Sequence, residues 1–320
     1  MMRMTVLASG SKGNCTVISS SRTRVLVDAG LSCREILRRM AMAGEDPTTL
    51  DAILITHEHI DHVAGLSVLA RRLGIPVYFT EPTHRAWVRM VTPRTIMTYA
   101  KWLDRVQKEK EARAAAVAAS GEYVAETLAA EAETESDGQP EAMPAERPKP
   151  DPAFLPAVEY FHSGAAFCIG DLDITPFTIP HDAADPCGFV FAAEGIRMAF
   201  ATDLGYMPPN VKAALRRVDV MLLESNHDLE MLRDGPYPWS VKQRVLSRVG
   251  HLSNHATAEF LSNDYDGGAA YIVLGHLSEA NNAPELARLS AEQALANQPT
   301  LLGNRIMLAM QSTPTESITL

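Results

Sequence analysis

Seven consecutive residues, Thr56-His57-Glu58-His59-Ile60-Asp61-His62, hold the densest chemistry of this 320-residue chain. Three imidazoles and two carboxylates fall within six positions, directly after the apolar run Ala52-Ile53-Leu54-Ile55. A loop that leaves a buried strand is rigid enough to hold metal ligands in place. His57 and His59, two apart, can point the same way from extended chain. Asp61 and His62 follow where the chain turns into a helix, so the segment can serve two neighbouring cations. Imidazole with carboxylate suits Zn2+, Mn2+ or Fe2+. The competing explanation is a set of surface histidines in a polar loop, and the position at a strand end argues against it.

The spacing H-x-H-x-D-H after a strand resembles the signature of the metallo-β-lactamase-fold hydrolases. That resemblance implies an α/β fold, the four-layer αββα sandwich, and two divalent metal ions. It extends to Asp28, which ends Val25-Leu26-Val27 and matches the acid that orients the metal loop. It extends further to His181 in Thr178-Ile179-Pro180-His181, to Asp203 in Phe200-Ala201-Thr202-Asp203, and to His276 in Val273-Leu274-Gly275-His276. The family pattern implies that His57, His59 and His181 hold one metal and Asp61, His62 and His276 the other, with Asp203 bridging. Two ions roughly 3.5–4 Å apart can share a hydroxide and clamp a phosphate oxygen.

Several further stretches resemble one branch of that family, the bacterial YycJ/WalJ group. They are Gly10-Ser11-Lys12-Gly13-Asn14, Glu224-Ser225-Asn226-His227-Asp228, Gly250-His251-Leu252-Ser253-Asn254 and His276-Leu277-Ser278-Glu279. The group is exonuclease-like and related to RNase Z and to small phosphodiesterases. The implied activity is hydrolysis of a nucleic acid substrate, DNA or RNA. His251, with His227 next in line, is then the candidate proton donor to the leaving oxygen, since imidazole suits proton transfer near neutral pH. Arg233, Lys242, Arg244 and Arg248, with Pro236-Tyr237-Pro238-Trp239 among them, suit a groove that tracks a backbone and stacks bases. An ordinary solvated helix face is the alternative. Arg85, Arg89, Arg94, Lys101 and Arg105 are a weaker candidate for the opposite rim. Two other readings stay open: a thioester or lactone hydrolase on the same metals, and a non-catalytic scaffold stabilised by them.

The elements that must position these residues are legible as patterns. Short apolar runs alternate with helical stretches: Val25–Val27, Ala52–Thr56 and Val77–Phe79 early, then Ile174–Ile179, Gly188–Ala192, Met198–Thr202, Val218–Leu223 and Ala270–Leu274. Ser32-Cys33-Arg34-Glu35 has the capping-box layout and opens a helix that ends near Gly44. A second helix is expected over His62–Leu73. One domain is expected to span residues 1–320, interrupted by an insertion at 108–152. That insertion is rich in Ala, Glu and Pro, and holds eleven acids against five bases. Lys108–Ala132 reads as a solvent-exposed helix and Glu133–Pro152 as disordered, together a tolerated surface insertion or a site for a protein partner. It accounts for about six of the ten net negative charges. Net charge −10 argues against coating nucleic acid by bulk charge, but not against a nuclease with a local basic groove. Cys15, Cys33, Cys168 and Cys187 are scattered and read as buried small apolar residues. No run suits a membrane span and no secretory leader is visible, so the expected compartment is the cytoplasm.

Overall fold

The computed structural model describes residues 1–92, 107–108, 151–296 and 303–320. The insertion therefore lies almost wholly outside the described residues, as do Arg94, Lys101 and Arg105 of the expected second rim. Residues 1–91 and 152–320 form one compact unit, which carries everything below.

Two seven-stranded sheets make up that unit. The first contains β1 (Arg3–Ala8), β2 (Cys15–Ser19), β3 (Arg24–Val27), β4 (Ala52–Leu54), β5 (Val77–Phe79), β6 (Val158–Tyr160) and β14 (Ile318–Thr319), in the order β14-β1-β2-β3-β4-β5-β6. The second contains β7 (Phe167–Ile169), β8 (Leu172–Thr178), β9 (Cys187–Ala193), β10 (Ile196–Ala201), β11 (Val220–Glu224), β12 (Tyr271–Gly275) and β13 (Arg305–Leu308), in the order β13-β12-β11-β10-β9-β8-β7. β3 to β6 run parallel, and so do β10 to β13.

Alternation along the strands separates three apolar layers. Val25 and Val27 of β3, and Val220 and Leu222 of β11, point into the core between the sheets. Leu26 and Ile53 point outward to the helices Cys33–Met42 and Leu66–Leu73. Met221, Leu223, Ile272 and Leu274 point outward to the helices Asn254–Asn263 and Pro284–Leu295. Strands covered on both faces must be apolar at nearly every position, which is why they read as unbroken runs. The expected four-layer αββα sandwich is the observed one.

Two local expectations need correction. The helix expected over His62–Leu73 is two pieces, Ile60–Val63 and Leu66–Leu73. It breaks at Gly65, where a Cβ would lie 2.1 Å from the Leu31 carbonyl oxygen, so that chain passes too closely for a continuous side-chain-bearing helix. Cys15, Cys33 and Cys187 are buried as expected, but Cys168 is exposed, because it sits on the outward face of the edge strand β7.

Candidate metal centre

The site gathers where parallel strands of both sheets end, the position at which open α/β sheets bind ligands. His57 and His59 follow β4, Asp28 follows β3, Asp203 follows β10 and His276 follows β12. Asp28, Asp203 and His276 have left-handed backbones, with φ of 61°, 66° and 55°. Such conformations cost energy for residues with a Cβ and gather at functional sites. Backbone bonds tie the loops together: Asn14 N donates to Asp61 O, Ala29 N to His62 O, and Gly30 N to Asn14 O.

Five imidazoles share one arrangement. Each gives one nitrogen to a protein acceptor and keeps the other for the cluster. His57 Nδ1 meets the Thr56 hydroxyl at 3.0 Å, and that hydroxyl donates to Asp28. His59 Nε2 lies 3.2 Å from the Asp182 carbonyl, and His181 Nδ1 3.3 Å from the Gly250 carbonyl. His62 Nδ1 donates to Asp28 at 2.8 Å, and His276 Nδ1 to Glu224 at 3.0 Å. Outer partners of this kind fix ring orientation and turn the inner nitrogen toward the cluster. The inner atoms fall into groups of metal-ligating geometry, among them His57-His59-His181 and Asp61-His62-His276. Asp203 reaches both, with Oδ1 4.0 Å from His181 Nε2 and Oδ2 3.5 Å from His62 Nε2. His57 Nε2, His276 Nε2 and Asp203 Oδ2 are buried without any hydrogen-bond partner. Orphaned buried atoms are costly and call for an occupant; three converging here fit divalent cations.

The electrostatics agree. Burial drives His57 well below the ordinary imidazole range, with the neighbouring His62 adding to the effect. Burial lowers His181 too. Both rings are thus neutral and ready to ligate. Burial pushes Asp203 up, but the His276 and His62 rings around it outweigh that and hold it well below the usual carboxylate range. Burial also works against charge on His62, yet Asp28, Asp203 and Asp61 raise it to about 10. Without metal the acids therefore hold protons on the neighbouring rings, and metal binding must displace them.

Glu224 is the main residue that sequence reasoning placed only as part of a family stretch. It is fully buried at the end of β11. It accepts from His251 Nδ1 at 2.8 Å, from His276 Nδ1, and from the backbone of Leu204 and Leu252. Burial pushes it up, but His251 and His276 pull it down to about 2. The signal available in the sequence was an acid closing an otherwise apolar strand. Asn14 is a second such residue: its amide lies 3.0 Å from His62 Nε2 and 3.3 Å from Asp61 Oδ2.

An open cleft of about 270 Å3 lies over the cluster, lined by His59, Asp61, His181, Asp203, His251 and His276 among others. His251 thus reaches the open side. His227, the second candidate for proton transfer, does not. It is buried, lies off the cleft wall, and is held down to about 4 by burial, so it is neutral and out of reach of a ligand in the cleft.

A sequence profile described as the Metallo-beta-lactamase superfamily matches residues 8–276. The chain belongs to the metallo-β-lactamase superfamily. Within it, the chain is 33% identical over 294 residues to the Exodeoxyribonuclease WalJ of Streptococcus pneumoniae, covering 92% of this chain and 88% of that one. It is 32% identical, over 92% of its own length and 89% of the relative's, to the Exodeoxyribonuclease YycJ of Bacillus anthracis. Among solved structures, the metallo-β-lactamase fold protein YhfI from Bacillus subtilis superposes with TM-score 0.61 at 14% identity, covering 98% of each chain. Human tRNase Z, short form, superposes with TM-score 0.54 at 15% identity, again over 98% of each. These last two bear on the metallo-β-lactamase fold alone.

Proposed function

We propose that this chain is a metal-dependent phosphodiesterase that degrades nucleic acid from an end. His57, His59 and His181 would hold one divalent ion and Asp61, His62 and His276 a second, with Asp203 placed to reach both groups. The observation that carries the reading is the shared arrangement of the five imidazoles, each with its outer nitrogen engaged and its inner nitrogen turned to the cluster. Two relatives named exodeoxyribonucleases, each aligned over most of both chains, support nucleic acid as the substrate class.

Bound divalent ions supply an activated water and offset charge that develops on phosphoryl oxygens. The chain does the rest. The loops that carry the ligands fix where the scissile phosphate sits. His251 gives its Nδ1–H to Glu224 and so turns Nε2 to the cleft; in its imidazolium form, with Glu224 balancing the charge, it carries a second proton on Nε2 that it can pass to the departing oxygen and so become neutral. Glu224, anionic and buried, orients His251 and His276 together. The compartment we assign is the cytoplasm; no helix among the described residues is long and apolar enough to cross a membrane.

The deciding experiment offers end-labelled single- and double-stranded DNA and RNA to apo-protein, with Zn2+, Mn2+ or Fe2+ added back singly. Bis-p-nitrophenyl phosphate and a thioester serve as small substrates. Stepwise loss of end label and cleavage of the phosphodiester are expected. Turnover of the thioester alone would overturn the reading.

A further inference from the structure

Among the described residues, one wall of the cleft has little packed behind it. The segment 236–250 reads Pro-Tyr-Pro-Trp-Ser-Val-Lys-Gln-Arg-Val-Leu-Ser-Arg-Val-Gly, with three bases and no acid in a chain of net charge −10. Its helix, Trp239–Val245, buries none of its residues, and Trp239 is 68% exposed. Seven residues do not hold a helix in water unaided; side chains tie it at Lys242, which donates to the Arg233 carbonyl at 2.7 Å, and at Arg244, and its backbone is fastened at the segment's end. There, His251 N donates to Val245 O at 3.0 Å, and Gly250 O meets His181 Nδ1 at 3.3 Å. A Cβ on Gly205 would stand 2.2 Å from the Arg248 carbonyl carbon, and one on Gly250 2.2 Å from Val245 O. The loops it is fastened to are those that carry His181, Asp203 and His251. The segment is fixed at its base and bare on its outer side.

Tyr237, Val241, Arg244 and Val245 face the cleft, and Arg244 is the one cation that lines it among the described residues. Arg244 is held in place by Asp182, with Nε 2.6 Å and Nη2 3.0 Å from its two carboxylate oxygens. A guanidinium has five N–H donors. Asp182 engages two of its nitrogens, so donors remain for an anion in the cleft. An exposed Trp239 and a half-buried Tyr237 beside a fixed cation, in a segment 236–250 that itself holds no acid, match the chemistry of an unpaired polynucleotide: phosphate for the guanidinium, base faces for the rings.

We infer that residues 236–250 form a ledge that grips the unpaired end of the nucleic-acid substrate. Arg244 binds the phosphate next to the scissile one, and Tyr237 and Trp239 stack bases further along the strand. The inference rests on the nuclease reading. An unpaired end is favoured over a duplex because stacking needs free base faces, which a duplex presents only at its terminus. A duplex, or a protein partner seated on Trp239, are outcomes of the test.

The test uses the full chain with Trp239→Leu, Tyr237→Ala and Arg244→Gln variants. Oligothymidylate is titrated into metal-free protein while tryptophan fluorescence is read, and an equal length of blunt duplex is the second probe. Quenching by oligothymidylate is expected for the wild type and its loss for Trp239→Leu. Each variant should weaken binding by roughly tenfold or more, the scale of one lost stacked base or phosphate contact. With metal restored, kcat/KM on the oligonucleotide should fall at least tenfold further than kcat/KM on bis-p-nitrophenyl phosphate. Variants that bind and degrade oligonucleotide as the wild type does would overturn the ledge and leave the nuclease standing. Equal losses on both substrates, with metal content falling, would reduce the segment to a structural support. Equal binding of duplex, or no binding of either probe by a protein that degrades DNA, would overturn it as well. A wild type that cleaves bis-p-nitrophenyl phosphate but no nucleic acid ends the nuclease reading itself.

Discussion

Glu224 and His251 separate two kinds of contribution that a single activity loss would merge. Glu224 accepts from His276, a proposed ligand, and from His251, which faces the cleft, whereas the His251 ring packs 5.3 and 5.0 Å from the His181 and His276 rings without belonging to either proposed ligand set. His251→Ala should therefore keep its metal and lose roughly 10²–10⁴-fold in kcat, the usual range for a missing general acid. Glu224→Gln should lose metal affinity and turnover together, each by roughly 10–100-fold, as for other outer partners of ligand histidines. Paired metal analysis and kinetics on both variants check this. If His251→Ala sheds metal, the ring is a ligand or a prop. This distinction was out of sight in the sequence. His57, His59, Asp61 and His62 announce themselves by density, whereas His181, Asp203 and His276 are reached through the resemblance to the family pattern. Glu224 is one acid closing one apolar strand. Only folding shows that β11 ends between β10 and β12, beneath both rings.

At the scale of elements, the apolar runs marked the buried strands to within a residue or two, because burial on both faces leaves little room for polar residues. Val77–Phe79 is reproduced to the residue, and Ser32 does accept from Glu35 N at the start of its helix. Glu35 does not complete the capping box; it pairs with Arg38 and Arg39 instead. No named run marks β1 and β2, nor β6, β7, β13 and β14, the last four being short strands at sheet edges. What periodicity cannot carry is close approach between chains. A Cβ on Gly30 would stand 1.6 Å from the Asp61 carbonyl oxygen, a backbone atom with nowhere to go. Gly30→Ala should force apart the turns that carry Asp28 and Asp61. The expected cost is about 1–3 kcal/mol of stability, the range for overpacking, with a fall in metal content. Denaturant unfolding and metal analysis of the variant measure the two effects, and a variant matching the wild type in both would show that the turns do not depend on this contact.

The whole molecule is held together partly by a clamp far from the metals. Asp171, in the β7–β8 turn of one sheet, accepts from Ser20 at 2.6 Å and reaches Arg22 in the β2–β3 turn of the other. The Ser20 hydroxyl, then Thr23, hold its carboxyl at about 2, below the ordinary value of about 3.9. A carboxylate lowered on folding contributes its full stability above the unfolded value and loses it as pH falls through the folded one. Asp171→Ala should thus melt below the wild type at pH 7, and the gap should close between about pH 4 and pH 2. A gap that stays constant over that range would show that the charge plays no part in the clamp.

β14 lies antiparallel beside β1, and Met2 and Leu320 exchange backbone bonds of 2.8 and 3.0 Å. The two ends described for this chain are therefore neighbours, and the order in which the elements are translated is separable from the shape they reach. A circular permutant follows from this: residue 320 joined to residue 1 through a short Gly-Ser bridge, with new termini opened inside 108–152, whose composition offers little to bury. It should fold to the same two sheets and keep metal-dependent turnover, with only the rate of folding altered, because the contacts that were most distant along the chain become local. Refolding kinetics and turnover of the permutant test this, and a permutant that fails to bind metal would show that this fold needs its elements in their natural order.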